Sequence, residues 1–159
     1  MMRLLTMTAL LLLIAGCSIN PFRGASGAQV IGESEYCGTS SQDSAAQYFA
    51  DASSFGDWID YRSVSEFKPS MAVNGGVIIV EMGQRPTGGY NIKLDRKQTK
   101  VVGDTLTLSM VWNAPRLDAA VSQALIASCV AIRPPKGNYS QIRVVDQLGN
   151  VRGQAGVGR

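Results

Sequence analysis

One apolar segment, residues 77–82 (Val-Ile-Ile-Val-Glu-Met), runs into Gly83-Gln84-Arg85-Pro86-Thr87-Gly88-Gly89-Tyr90 and out again into an alternating segment, 90–94. Two extended pieces of chain must therefore be joined by a reversal. The glycines permit dihedrals that other residues resist, while Pro86 fixes its own φ and biases Arg85 toward extended geometry. The first segment has no clean alternation, which suits a central strand covered on both faces. The second places Tyr90, Ile92 and Leu94 on one face and Asn91 and Lys93 on the other, as a half-buried strand would.

The neighbouring sequence extends this pattern. Residues 98–102 form a further extended piece before the turn signal Gly103-Asp104, and residues 105–112 alternate with Leu106, Leu108, Met110 and Trp112 on one face. The small and branched residues of 124–132 read as a buried strand stopped by Pro134-Pro135, although the alanines of 118–125 equally permit a short helix. Residues 139–145 give a last core strand, and 151–152 pair briefly before a glycine-rich end.

Upstream, 30–36 supplies a first short strand. The polar stretch 39–44 can cap one or two helical turns over 45–50. Phe55, Trp58 and Ile59 stand at i, i+3 and i+4, so a short helix there would lay one face against a sheet. No βαβ spacing is present. The expected fold is mainly β: a small antiparallel β-sandwich or partly open barrel with a short helical segment before the main strands. It would form one domain, 30–152, around a single core, with a flexible tail at 153–159.

The amino terminus carries a different signal. A single arginine, Arg3, precedes an uncharged run, 4–15, that is shorter than the roughly 20 apolar residues of a bilayer-spanning helix. Ile14-Ala15-Gly16-Cys17 resembles the lipobox of bacterial lipoproteins. The resemblance implies a signal peptide over 1–16 and acylation of Cys17. Ser18 resembles the residue that lets such a protein proceed to the outer membrane. The expected location is then the cell envelope, held to the bilayer at the periplasmic leaflet of the outer membrane by acyl chains that each add about 0.8 kcal/mol per buried methylene. Residues 17–29, rich in Gly, Ser and Ala, read as the lipidated cysteine and a flexible tether. Two plainer readings of the same residues are a secretory signal with an incidental cysteine and a helix retained in the membrane.

With Cys17 assigned to acylation, Cys37 and Cys129 remain as one pair in an oxidising compartment, which predicts a disulfide; two buried thiols or a reactive pair are the alternatives. The formal charge is +3, with the bases scattered among acids. No basic block tracks a phosphate backbone, so no nucleic-acid partner is expected.

The chain has no histidine. That removes Ser-His-Asp and Cys-His nucleophile systems and the commonest zinc sites. Asp95, Asp104, Asp118 and Asp146 sit beside turns, where a carboxylate ordinarily accepts backbone N–H groups. The 83–90 loop lacks the Gly-Lys-Ser/Thr ending of a phosphate loop and leads into a strand where such a loop needs a helix. No metal, cofactor or catalytic residue is expected, and the chain reads as a non-enzyme.

The Pro-Thr-Gly-Gly-Tyr core of the loop, with the strands around it, Ala114-Pro115 and Arg133-Pro134-Pro135-Lys136, resembles the C-terminal domain of the protease-complex subunit PrcB family over residues 73–145. The resemblance implies an exported lipoprotein that binds an envelope protein or protease as an accessory subunit. A second similarity runs to chagasin-like protease inhibitors, with Pro86, Thr87, Gly89 and Tyr90 matching their inhibitory loop while Arg85 and Gly88 depart from it. From the residues alone, Gly83, Gln84, Arg85, Pro86, Thr87, Gly88, Gly89 and Tyr90 are either a preorganised protein-binding loop or a tight turn of an envelope lipoprotein with a purely structural role.

Overall fold

A computed structural model describes residues 27–158 of the protein. The expected signal peptide over 1–16, Cys17, Ser18 and all but the last three residues of the expected tether over 17–29 lie outside the described residues.

The chain forms two sheets. In the first, β1 (Gln29–Ser34), β7 (Cys129–Arg133), β3 (Val77–Glu81) and β2 (Ala45–Phe49) lie side by side in that order, all antiparallel. In the second, β6 (Thr105–Asn113) is the long spine. On one side it pairs with β4 (Asn91–Leu94) along its later half and with β5 (Lys100–Val102) along its earlier half. On the other side lies β8 (Gln141–Val145), followed by β9 (Val151–Gly156). The β6–β8 pairing is parallel and the other strand pairings are antiparallel, so the sheets are mostly antiparallel, and among the described residues no ladder closes them into a barrel.

The expected single core is divided by sheet 1 into two apolar layers. Ile78, Val80, Val130 and Ile132 face Leu106, Leu108, Met110, Ile142 and Val144 of sheet 2. Val77, Ile79, Cys129 and Ala131, on the opposite face, pack beneath helix α1 (Ala52–Arg62) and a 3-10 turn at Pro69–Ala72. Every residue of β3 is buried for this reason, as its unbroken apolar run requires. Each such Val or Ile contributes about 1.5–3 kcal/mol on full burial.

Helix α1 begins where Asp51 accepts hydrogen bonds from the Ser53 and Ser54 amides, both at 2.9 Å. It ends at Ser63, which is left-handed at φ 55°. Phe55, Trp58 and Ile59 are its buried face, as their spacing predicts. They form an aromatic cluster with Phe49 and Phe67.

Three local expectations are corrected. Residues 45–49 are strand β2, because pairing with β3 outweighs the helix preference of two alanines. Residues 118–125 form neither helix nor strand, and the strand expected over 124–132 begins only at Cys129. The last strand runs to Gly156, so the tail expected over 153–159 is paired with β8 for its first four residues.

Cys37 and Cys129 are joined in a disulfide, Cα–Cα 6.0 Å, across 92 residues of sequence. Among the described residues no helix is long and apolar enough to cross a membrane.

Candidate functional site

The strand directions collect three loops at one end of the sandwich. They are residues 35–44 after β1, 82–90 after β3 and 114–128 before β7. The third is long and irregular, a class of loop that compact domains seldom keep without a use.

The three loops are stitched together. The Gln84 amide donates to Ser41 O at 2.7 Å, and Arg85 and Ile126 exchange backbone bonds at 2.7 and 3.1 Å. The Gly88 amide donates to Ser122 O at 2.8 Å. The Cys37 amide donates to Ala127 O, and the Ala127 amide to Glu35 O. Two glycines permit this approach. Gly83, at φ 80°, lies where a Cβ would stand 2.5 Å from Gln42 O, and Gly89, at φ 85°, leaves room for Pro115 and Val121.

Arg85 does not project from the loop. Its Nη1 donates to Gln42 O at 3.0 Å and Gln84 O at 3.2 Å, and its Nη2 to Met82 O at 2.7 Å. The guanidinium braces the turn by collecting carbonyl oxygens that the reversal leaves without ladder partners. Pro86 and Gly89 are exposed, Thr87 and Tyr90 half-buried, and Gly83 buried. Tyr90 packs against the edge of the inter-sheet core.

The exposed apolar groups lie elsewhere on the same end. Leu117 caps a turn closed by the Ala119 amide donating to Arg116 O and is fully exposed; Leu125 is 57% and Tyr36 55% exposed. Leu148, in the β8–β9 turn, is exposed as well. Leu117 and Leu125 were not singled out as site residues from the sequence. The signal was there in apolar residues without period among alanines and charges, which fits neither a helix face nor a strand face.

The shifted titratable groups all have structural partners. Burial raises Glu81, against the opposing charge of Arg62. Burial pushes Tyr139 up to about 12, with Tyr48 adding to it, while its hydroxyl donates to Pro135 O. Asp51 is lowered by the α1 amides it caps, the Ser54 amide first. Asp95 and Asp146 accept turn amides, as their positions suggested. Among the described residues no set of three His, Cys, Asp or Glu side chains could hold a metal ion.

Fold and surface together define a β-sandwich covered by a helix on one face and presenting apolar loop tips at one end. The PrcB C-terminal family model matches residues 77–133, a little over a third of the chain, spanning β3 to β7 and both stitched loops 82–90 and 114–128. The resemblance read from the loop is thereby supported over those residues. No curated protein and no solved structure gave a match.

Proposed function

We propose that this chain is a lipid-anchored accessory protein of the bacterial envelope that binds another protein, in the first instance a protease, through the loop end of its sandwich, and that it performs no catalysis itself. One observation carries the reading: loops 35–44, 82–90 and 114–128 are held rigid by mutual backbone bonds while Tyr36, Leu117 and Leu125 stay in solvent. A preorganised surface with exposed apolar tips loses little entropy on docking and gains from covering them. The match to the PrcB C-terminal family supports a protease as partner. Ile14-Ala15-Gly16-Cys17 and Ser18 support acylation and transfer to the outer membrane.

Within this reading the 83–90 turn braces the platform, and contact falls chiefly to the 114–128 loop. The Gln84–Ser41, Arg85–Ile126 and Gly88–Ser122 bonds tie 83–90 to its neighbours and leave Pro86 and Gly89 as its exposed residues.

A photo-crosslinking residue placed at 117, 125 or 143 in the full chain, in the producing cell, tests the reading. Crosslinks from 117 and 125 to one envelope protein with protease activity, absent from 143, are expected. No product at 117 and 125, or the same product at 143, would sink it. The mass of the mature protein reports separately on acylation of Cys17.

A further inference from the structure

The end of the sandwich opposite the loops has its own chemistry. The described chain enters there: Ala28 O accepts a hydrogen bond from Arg96 Nε at 3.1 Å, and a Cβ on Gly27 would lie 3.4 Å from Pro135 Cβ. Arg96 and Lys97 in the β4–β5 connection, and Lys136 beside Pro135, thus surround the point where residues 1–26 join the domain, and all three are exposed. The outer face of sheet 2 extends this character, with Lys93 and Arg143 exposed on strands whose alternate residues fill the core.

Two carboxylates, Asp95 and Asp104, stand near these three bases and keep their charge, each fixed in place by neutral donors. Asp95 accepts from the Lys97 and Gln98 amides, and Asp104 from the Thr105 and Ser140 hydroxyls. The loop end differs: Glu35, Asp43 and Asp118 are exposed against two bases, Arg116, which is paired with Asp118, and the half-buried Arg85, whose guanidinium is held on carbonyl oxygens. The molecule is polarised, basic where the chain enters and acidic to neutral where the loops stand.

We propose that the basic end docks on the anionic headgroups of a lipid bilayer, holding the domain upright so that Leu117 and Leu125 point away from the membrane. This rests on the anchored reading above, because a chain acylated at Cys17 brings the surrounding bases to the headgroup layer. Bases near an anionic surface each contribute about 1 kcal/mol, roughly fivefold in partitioning, and the attraction falls off within a Debye length.

The test uses the full chain on vesicles of phosphatidylcholine alone or mixed with phosphatidylglycerol. Parent and the triple variant Arg96→Gln, Lys97→Gln, Lys136→Gln each carry a fluorophore at Asn138→Cys or Leu117→Cys, with an energy acceptor on the headgroups. On phosphatidylglycerol vesicles the parent should transfer far more strongly from 138 than from 117. Raised salt or the triple variant should abolish that difference. Equal transfer from both positions, or a difference indifferent to the triple variant, overturns the proposal.

Flotation on pure phosphatidylcholine reports the anchor alone. If the chain fails to float there, the anchored reading fails by itself. The basic end is then judged by flotation on phosphatidylglycerol, which the triple variant should weaken on the order of 100-fold, taking about fivefold per base. Undiminished flotation would overturn it. Capture of a soluble acidic protein by the parent in place of vesicles would also overturn it.

Discussion

Arg62, in the last turn of α1, meets Glu81, the last residue of β3, at 3.2 Å, with their side chains only 16% and 3% exposed. Gln47 also donates to Glu81, at 3.1 Å. Burial raises the Glu81 pKa above its ordinary 4.5, against the Arg62 charge and the hydrogen bonds from Arg62 and Gln47. The folded chain then holds this proton more readily than the unfolded one, so the Glu81 contribution falls as pH rises from 4.5 through the folded value. Arg62→Met should cost about 3 kcal/mol near neutral pH, because it strands a buried carboxylate. It should also steepen that fall, while Glu81→Gln should flatten it. Urea denaturation of the three forms from about pH 4 to about pH 8 checks both signs.

The Cys37–Cys129 disulfide ties the segment after β1 to the start of β7, directly beside that ion pair, since Cys129 is the register partner of Glu81. Closing 92 residues restricts the unfolded chain strongly. The double variant Cys37→Ala, Cys129→Ala should lose about 2–5 kcal/mol of stability, read as a lower urea midpoint that reductant no longer changes. A parent whose midpoint is insensitive to reductant would contradict the linkage.

Much of this architecture was legible because one physical rule dominated locally. Alternation placed β4 and β6, the unbroken apolar run placed β3, and the spacing of Phe55, Trp58 and Ile59 placed α1. Ala45 and Ala46 misled because alanine favours a helix in isolation, whereas here a long-range partner, Val80–Glu81, decides the conformation. The two-layer core was hidden for a related reason: nothing in residues 52–72 states which face of sheet 1 they will cover. At the candidate site the turn was visible in its glycines and proline. The inward course of Arg85 was not, since its acceptors Gln42 O and Met82 O are set by tertiary structure.

Asp146 gives the opposite pH signature to Glu81. Its burial alone would raise the pKa, but hydrogen bonds from the Asn150 side chain and amide, from Arg152 and from the Leu148 amide outweigh it and hold the carboxyl at about 2. A depressed carboxylate contributes stability that is whole above the ordinary 3.8 and is lost as pH falls through the folded value. The parent should therefore lose stability between those limits as the β8–β9 hairpin loses its acceptor. Asp146→Asn should be less stable near neutral pH and show a shallower acid loss. Thermal unfolding followed across that range decides it; parallel acid limbs for the two proteins would contradict the assignment.

Stability and binding should separate within the loop end itself. Arg85 spends its guanidinium on Gln42 O, Gln84 O and Met82 O, so Arg85→Ala removes charge-assisted bonds from carbonyls at the turn. It should cost about 1.5 kcal/mol of folding stability. Leu117 and Leu125 are largely in solvent, so Leu117→Ser with Leu125→Ser should leave stability within about 0.5 kcal/mol of the parent. Removing exposed apolar tips from a docked interface should nevertheless weaken partner retention at least tenfold, about 1.4 kcal/mol. Urea midpoints and affinity for the crosslinked partner, measured on the same preparations, give the comparison. If the leucine variant unfolds easily, those side chains belong to the packing; if Arg85→Ala loses the partner while keeping full stability, the turn is the contact and the 114–128 loop its support.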